Sequence, residues 1–136
     1  MNATTSTPDV IGGTPPNGFS MDVRTRGFTL TPSIYWRAAD HIAAKLSKHA
    51  RALSGLTVRL EDINGPKRGL DKRCQVEVVM QGSPPVVVVE TDQDVAAAMD
   101  RAGHRAALLV GQVLEQRRSK RRQRGRKIVR NRKLLH

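Results

Sequence analysis

The sequence is poor in several residue types on which functional sites commonly depend. It has one cysteine, Cys74, among 136 residues, which excludes an internal disulfide framework and a metal site built from several cysteines. It has only two phenylalanines, one tyrosine and one tryptophan, so the stacking of bases on aromatic rings can contribute little. No apolar run approaches the roughly 20 residues that span a bilayer, and residues 1–19 lack the features of a signal peptide. We therefore expect a cytoplasmic protein.

Acidic residues are missing from the C-terminal end. Residues 117–136 contain 11 lysines and arginines and no acid, whereas residues 1–116 contain 13 basic and 12 acidic residues. Nearly all of the net charge of +12 therefore lies in this basic tail. Such a block binds polyanions in a salt-dependent way, so it indicates nucleic acid or an anionic membrane surface. The alternative is a solvated, disordered end that only aids solubility.

An antiparallel meander is predicted between Gly55 and Thr91. Apolar and polar side chains alternate over residues 56–60 and 74–80, which is typical of half-buried strands. Glycines and prolines interrupt the pattern at residues 65–69 and 82–85, and a run of four valines follows. The result is three strands with one apolar and one polar face.

Two amphipathic helices and one more strand flank the meander. Residues 21–26 alternate as a strand, and Thr31-Pro32 begins a helix of about six turns that ends at Gly55. A strand–helix–strand crossover predicts that strand 21–26 lies parallel to strand 56–60. The acid-rich residues 91–94 begin the second helix. The order β-α-β-β-β-α predicts an α+β two-layer sandwich, with a four-stranded mixed sheet and both helices on one face.

The expected domain organisation has three parts. Residues 1–19 have no periodicity and are expected to be disordered. Residues 20–118 form the α+β domain, and residues 119–136 form the basic tail. The second helix is expected to continue to about Arg122, with disorder beyond Gly125.

Basic side chains on the helices, the first meander turn and the tail are the candidate RNA-binding residues. Arg37, His41, Lys45 and Lys48 form a stripe on the first helix, although such a stripe is usually only a solvated face. The outer face of the sheet, which carries Arg24, Arg26, Arg59, Arg73 and Gln75, has no aromatic residue, so the base-stacking mode of RRM domains is excluded. The predicted RNA-binding residues are Arg37, Lys45, Lys48, Lys67, Arg68, Lys72, Arg73, Arg101, Arg105, Arg117, Arg118, Lys120, Arg121, Arg122, Arg124, Arg126 and Lys127.

Catalysis has little basis in the sequence. The four histidines form no ligand motif with Cys74, which lies on the inward phase of its strand and is expected to be a buried small hydrophobe. Glu61 and Asp62 are adjacent in the sequence, so in a strand their carboxylates point to opposite faces and cannot act together as a catalytic pair. Tyr35 and Trp36 are expected to lie partly in the core, with platforms for base stacking as the alternative. We expect no enzymatic activity, metal, cofactor, small-molecule substrate or membrane partner.

The chain resembles the ribosome hibernation-promoting factors, also called ribosome-associated inhibitor A or ribosomal subunit interface proteins. The resemblance covers approximately residues 21–122. It is carried by four segments, which are Leu-Thr-Pro-Ser-Ile at 30–34, Val-Arg-Leu-Glu at 58–61, Asp-Lys-Arg-Cys-Gln-Val-Glu at 71–77, and Asp-Val-Ala-Ala-Ala-Met-Asp at 94–100. The last segment is similar to the family's Asp-Leu-Tyr-Ala-Ala-Ile-Asp signature, with Ala96 in place of tyrosine.

The resemblance implies a fold like that of double-stranded-RNA-binding domains and a non-catalytic role on the small ribosomal subunit. There the domain would lie in the messenger channel across the decoding sites and inhibit translation in stressed or stationary-phase bacteria. Family members use basic side chains that match Lys45, Lys48, Arg101, Arg105, Arg117, Arg118, Lys120 and Arg121. Because a basic tail stands where long members have a dimerising domain, we expect a short form that is monomeric off the ribosome. The alternative is a general RNA- or DNA-binding module with the same fold and no ribosome specificity.

Overall fold

The sheet contains one strand more than the sequence predicts. The computed structural model describes residues 10–13, 19–63 and 71–134, with side chains described over 19–63 and 71–126. Within these residues the strands are β1 (Val10–Gly13), β2 (Ser20–Arg26), β3 (Leu53–Asp62), β4 (Lys72–Met80) and β5 (Val86–Asp92). They lie side by side in chain order. Strands β2 and β3 are parallel and all other neighbours are antiparallel, which confirms the predicted crossover and meander.

Strand β1 corrects the expectation that residues 1–19 are disordered. Residues 10–13 pair antiparallel with β2, with Val10 opposite Arg24 and Gly13 opposite Met21. The remainder of that segment, apart from Phe19, lies outside the described residues. The extra strand gives β2 a second neighbour, so the sheet is five strands wide in the described part of the chain. The sheet is mixed because β2 and β3 are parallel while the other pairs are antiparallel.

The first helical region, residues 32–52, is less uniform than the six-turn helix that the sequence predicts. It consists of α1 (Pro32–Ala38), a π-helical segment (Ala39–Ala43), α2 (Ala44–Leu46) and a 3₁₀ segment (Ser47–Ala52). Thr31 caps it as predicted, because its Oγ1 accepts from Ile34 N at 3.2 Å. The region ends at Ala52, and Gly55 lies inside β3 at an irregularity of the β3–β4 pairing. The prediction that Gly55 stops the helix was therefore wrong.

The core lies between one face of the sheet and the helices, as the α+β sandwich requires. Buried side chains alternate along β2, β3 and β4, for example Met21 and Val23, while Arg24 and Arg59 point to the other face.

Cys74 is fully buried and free. Its burial is the main cause that raises the pKa of its thiol to about 12, and the nearby charge of Glu90 adds to the effect. Tyr35 joins the core as expected, but Trp36 is 55% exposed, so that expectation was wrong.

The second long helix, α3 (Val95–Leu134), crosses the first helical region at a glycine. A Cβ built on Gly103 would lie 2.2 Å from the carbonyl oxygen of His41. His41 belongs to the π-helical segment, so the widened turn coincides with the crossing point. The contact requires a residue without a side chain, which explains a glycine in the middle of a helix.

Helix α3 also corrects the expectation of disorder beyond Gly125. It runs without interruption to Leu134, so the basic tail is a helical extension of the domain. Asp94 caps its start, since Asp94 Oδ1 accepts from Ala96 N at 3.2 Å. No helix in the described part of the chain combines the length and apolar character needed to cross a bilayer.

Candidate nucleic-acid interface

Lys45, one of the predicted RNA-binding residues, has an acidic partner inside the domain. Its Nζ donates to the Asp100 carbonyl oxygen at 2.9 Å and also pairs with the Asp100 carboxylate. The hydrogen bond from Lys45 is the main cause that holds the pKa of Asp100 below its usual range. This contact ties the first helical region to α3, so much of the charge of Lys45 is balanced within the fold.

Arg101 and Arg105 are also predicted RNA-binding residues, and both pair with the last strand. Arg101 Nη1 lies 2.7 Å from Asp92 Oδ2 and its Nε lies 3.2 Å from Glu90 Oε1. Arg105 pairs with Glu90 and donates to the Val89 carbonyl oxygen at 3.2 Å. Arg101 likewise donates to the Thr91 carbonyl oxygen. Because β5 is an edge strand, these contacts cover carbonyl groups that would otherwise attract another strand.

The acids of β5 should make the stability of the protein sensitive to acid. Hydrogen bonding, from Arg105 first and also from Arg101, holds the pKa of Glu90 below its usual value of 4.5, and bonds from Asp94 N and Arg101 do the same for Asp92. A carboxylate with a lowered folded pKa stabilises the fold fully above its unfolded pKa and loses that contribution as the pH falls through the folded value. We expect the free energy of unfolding of the wild-type protein to decline below a pH near 4.5. We expect the free energy of unfolding of the Glu90→Gln variant to decline less over the same range.

Urea unfolding at a series of pH values measures this effect. The matched control is Glu115→Gln, which removes an exposed carboxylate of α3 whose partners Arg118 and Arg122 are also exposed. An identical pH dependence for wild type and Glu90→Gln would contradict the role assigned to the Glu90 cluster.

The basic residues around the first meander turn are partly neutralised as well. Lys72 Nζ lies 3.0 Å from Asp71 Oδ2 and 3.4 Å from Asp62 Oδ2, and Arg73 Nη1 lies 3.7 Å from Glu61 Oε1. The predicted sites Lys67 and Arg68 lie outside the described residues.

A cleft of about 590 Å³ between the 3₁₀ segment and α3 gathers basic side chains, of which Arg118 alone has an acid partner in the described structure. Its described lining contains no acid. The charged residues that line it are Lys48, Arg51, Arg117, Arg118 and Arg121, together with His49. Sequence reasoning missed Arg51 and His49. The signal for Arg51 was present, because it lies three residues after Lys48 and continues the stripe of the first helix.

Two residues that line this cleft each have a buried nitrogen atom without a hydrogen-bond partner in the described structure, His49 Nε2 and Arg117 Nη1. Burial, with the charges of Lys48 and Arg118, lowers the pKa of His49. Arg117 lies against the β4–β5 turn, where a Cβ on Gly82 would be 3.3 Å from Arg117 Nη2. The Arg117 guanidinium is therefore held at the junction of α3 with the domain.

The helical extension continues the basic surface away from the cleft. Residues 120–126 are all exposed. Arg122 pairs with Glu115 at 3.1 Å and Arg118 with the same residue at 3.8 Å. Within the described part of the chain no acid pairs with Lys120, Arg121, Arg124 or Arg126. The side chain of Lys127, also predicted to bind RNA, lies outside the description.

The structure thus separates most of the described basic residues of this region into two groups. The first group contacts acids and consists of Lys45, Lys72, Arg73, Arg101, Arg105, Arg118 and Arg122. The second group, which we call the cationic helix surface, has no acid partner in the described structure and consists of Lys48, Arg51, Arg117, Lys120, Arg121, Arg124 and Arg126. Arg37 is also exposed and unpaired there, but it lies in α1, at the other end of the first helical region.

The described residues contain no group of three or more His, Cys, Asp or Glu side chains placed to hold a metal ion. What the described geometry does offer is a cationic cleft and a cationic helix attached to an α+β sandwich, an arrangement whose charge favours polyanionic partners.

Comparison with known proteins places this domain in a family. Residues 21–118 match the family described as Sigma 54 modulation protein / S30EA ribosomal protein. The chain belongs to this family, which confirms its resemblance to the hibernation-promoting factors. No curated protein matches the chain significantly.

Two solved structures share the fold. The N-terminal domain of Thermus thermophilus Protein Y aligns with a TM-score of 0.55 and 24% identity, covering 68% of this chain and 93% of that one. A ribosomal subunit interface protein from Coxiella burnetii aligns with a TM-score of 0.53 and 13% identity, covering 68% of this chain and 97% of that one. At these identities the likeness establishes the architecture alone.

Proposed function

We propose that this protein is a non-catalytic, cytoplasmic factor that binds the small ribosomal subunit and inhibits translation under stress. The domain of residues 20–118 would fit the ribosomal RNA of the messenger channel and decoding region, and residues 119–136 would add affinity through their charge. The protein would be a monomer off the ribosome. Family membership supports the ribosomal target.

The observation that carries this proposal is the placement of the unpaired cations. They lie in the cleft and along the exposed extension of α3, where Arg117, Arg121 and Arg124 follow one another at spacings of three and four residues on one side of the helix. Along the extension, basic residues four apart repel one another, for example Arg117 and Arg121 or Lys120 and Arg124. Phosphate groups relieve that repulsion and release counterions when they bind. The cations paired with Glu90, Asp92 and Asp100 would contribute less, because an RNA phosphate must compete with those acids.

Sedimentation with purified ribosomal subunits tests the proposal. We expect the protein to move with the small subunit at low salt and to be released steeply as the salt concentration rises. If it stays at the top of the gradient at low salt, or moves equally with both subunits, the proposed target is wrong.

The second candidate is a general RNA- or DNA-binding module, which the same unpaired cations would serve. Competition with bulk transfer RNA separates the two. A ribosome-specific factor remains on the small subunit in a large excess of competitor, because shape fit adds to charge, whereas a general binder is removed in proportion to the added phosphate.

A further inference from the structure

The outer face of the sheet, opposite the helices, holds two arginines side by side. Arg24 of β2 is the direct partner of Arg59 of β3, and Arg59 is the direct partner of Gln75 of β4. Both arginines are exposed, and neither makes an ion pair or hydrogen bond with another described residue. These three residues form a row across the sheet, which we call the Arg24 row.

The neighbouring rows on the same face both contain acids. In one, Glu61 stands between Arg26 and Arg73 and lies 3.7 Å from each. In the other, Thr57 stands between Asp22 and Glu77. The Arg24 row is therefore the one among these three whose positive charge has no acid of its own.

This arrangement has an energetic consequence. Neighbouring strands lie about 4.8 Å apart, so the side chains of direct partners start close together on one face. Like charges placed directly opposite one another destabilise a sheet, by an amount comparable to what opposite charges contribute. An anion between the two guanidinium groups would reverse the sign of that interaction. The face has room for one, because a depression of about 410 Å³ is lined by Arg24, Arg26, Arg59, Glu61, Arg73 and Gln75.

We propose that Arg24 and Arg59 bind a phosphate group on the outer face of the sheet, with the Gln75 side-chain amide as a further donor. The planar guanidinium presents paired N–H groups that match two phosphate oxygens, and such charge-assisted bonds are among the stronger ones in proteins. The phosphate belongs either to a nucleic-acid backbone or to a free phosphorylated ion. The site is separate from the cationic helix surface because the sheet lies between them. The domain therefore has phosphate-binding groups on both of its faces.

Nuclear magnetic resonance of the full-length protein tests the site with inorganic phosphate as the probe, at constant ionic strength maintained with chloride. We expect the Arg24 and Arg59 guanidinium signals and the Gln75 amide signal to shift together and to saturate with one dissociation constant. Arg59→Gln and Arg24→Gln should each weaken binding by roughly tenfold, since each removes hydrogen bonds to a charged group. The matched control is Arg37→Gln, which removes an exposed arginine of α1 that is unpaired in the described structure and lies on the other side of the sheet, and it should change the dissociation constant by less than about twofold.

A short single-stranded RNA identifies the source of the phosphate. If the site serves a nucleic-acid strand, the RNA shifts the same three signals at lower concentration than inorganic phosphate does; if it serves a free ion, inorganic phosphate binds and the RNA does not. Shifts that do not saturate, that chloride reproduces, or that survive both arginine substitutions would overturn the proposal. A failure here leaves small-subunit sedimentation unchanged, so it is distinguishable from a failure of the proposed function.

Discussion

Replacement of Gly103 by alanine is expected to lower the free energy of unfolding by roughly 3 kcal/mol, at the upper end of the usual cost of overpacking. The added Cβ would lie 2.2 Å from the His41 carbonyl oxygen and 3.1 Å from Ile42 Cα. Both are backbone atoms of the π-helical segment, so neither can rotate away as a side chain would. The two helices must separate, which opens the core around Ile42 and Met99, both fully buried. Urea unfolding followed by circular dichroism measures the loss.

The same substitution elsewhere in α3 provides matched controls. At Gly125 nothing lies within 4 Å of the new Cβ, and at Gly111 the nearest atom is His49 Nε2 at an ordinary contact distance of 3.5 Å. Alanine at these positions should raise stability by up to about 1 kcal/mol, through helix propensity alone. Equal changes in the free energy of unfolding at all three glycines would contradict the close contact between α3 and the first helical region at Gly103.

Much of the fold follows from local patterns. Alternation places Met21, Val23, Cys74 and Val76 on the buried face because side chains of a strand point alternately to its two sides. Thr31 and Asp94 mark the two helix starts because their side chains satisfy backbone N–H groups there. The crossover rule then sets β2 parallel to β3. Each of these features depends on residues within one element or on a rule that relates neighbouring elements.

The features that sequence reasoning missed depend on contacts between distant segments. Strand β1 has only four residues, two of them glycines, so it has no alternating pattern and forms by pairing with β2. The widened turn of the first helical region lies where α3 crosses it, about 60 residues further along the chain. Helix α3 continues across Gly125, where one glycine costs only about 1 kcal/mol of propensity.

The candidate site was predictable in position but not in its detail. The sequence shows which residues are basic, but not that Glu90 holds Arg101 and Arg105 or that Asp100 holds Lys45. The acids are placed opposite the basic residues by the packing of α3 on β5 and on the first helical region. The cationic helix surface contains the basic residues of the cleft and of the α3 extension that have no acid partner in the described structure, and it includes Arg51, which was not predicted.

Neutralising the extension of α3 is expected to have the largest effect on binding. The variant Lys120→Gln/Arg121→Gln/Arg124→Gln/Arg126→Gln removes four exposed charges and no described internal ion pair. Each phosphate contact contributes about 0.7–0.9 to the slope of log affinity against log salt. Loss of four contacts should therefore lower that slope by about 3 and weaken binding to small ribosomal subunits by a hundred- to a thousandfold near 0.1 M salt. Filter binding over a series of salt concentrations measures both quantities.

The charge-conserving variant Arg121→Lys/Arg124→Lys/Arg126→Lys separates charge from shape. Lysine keeps the positive charge but not the planar fork of arginine, so this variant should retain the wild-type salt slope. Its affinity should fall by much less than that of the glutamine variant, because counterion release depends on charge. An unchanged slope in the glutamine variant would remove the extension from the mechanism and leave the cleft, with Lys48, Arg51 and Arg117, as the remaining source of affinity. A lysine variant as weak as the glutamine one would instead mean that the extension recognises phosphate through the guanidinium geometry.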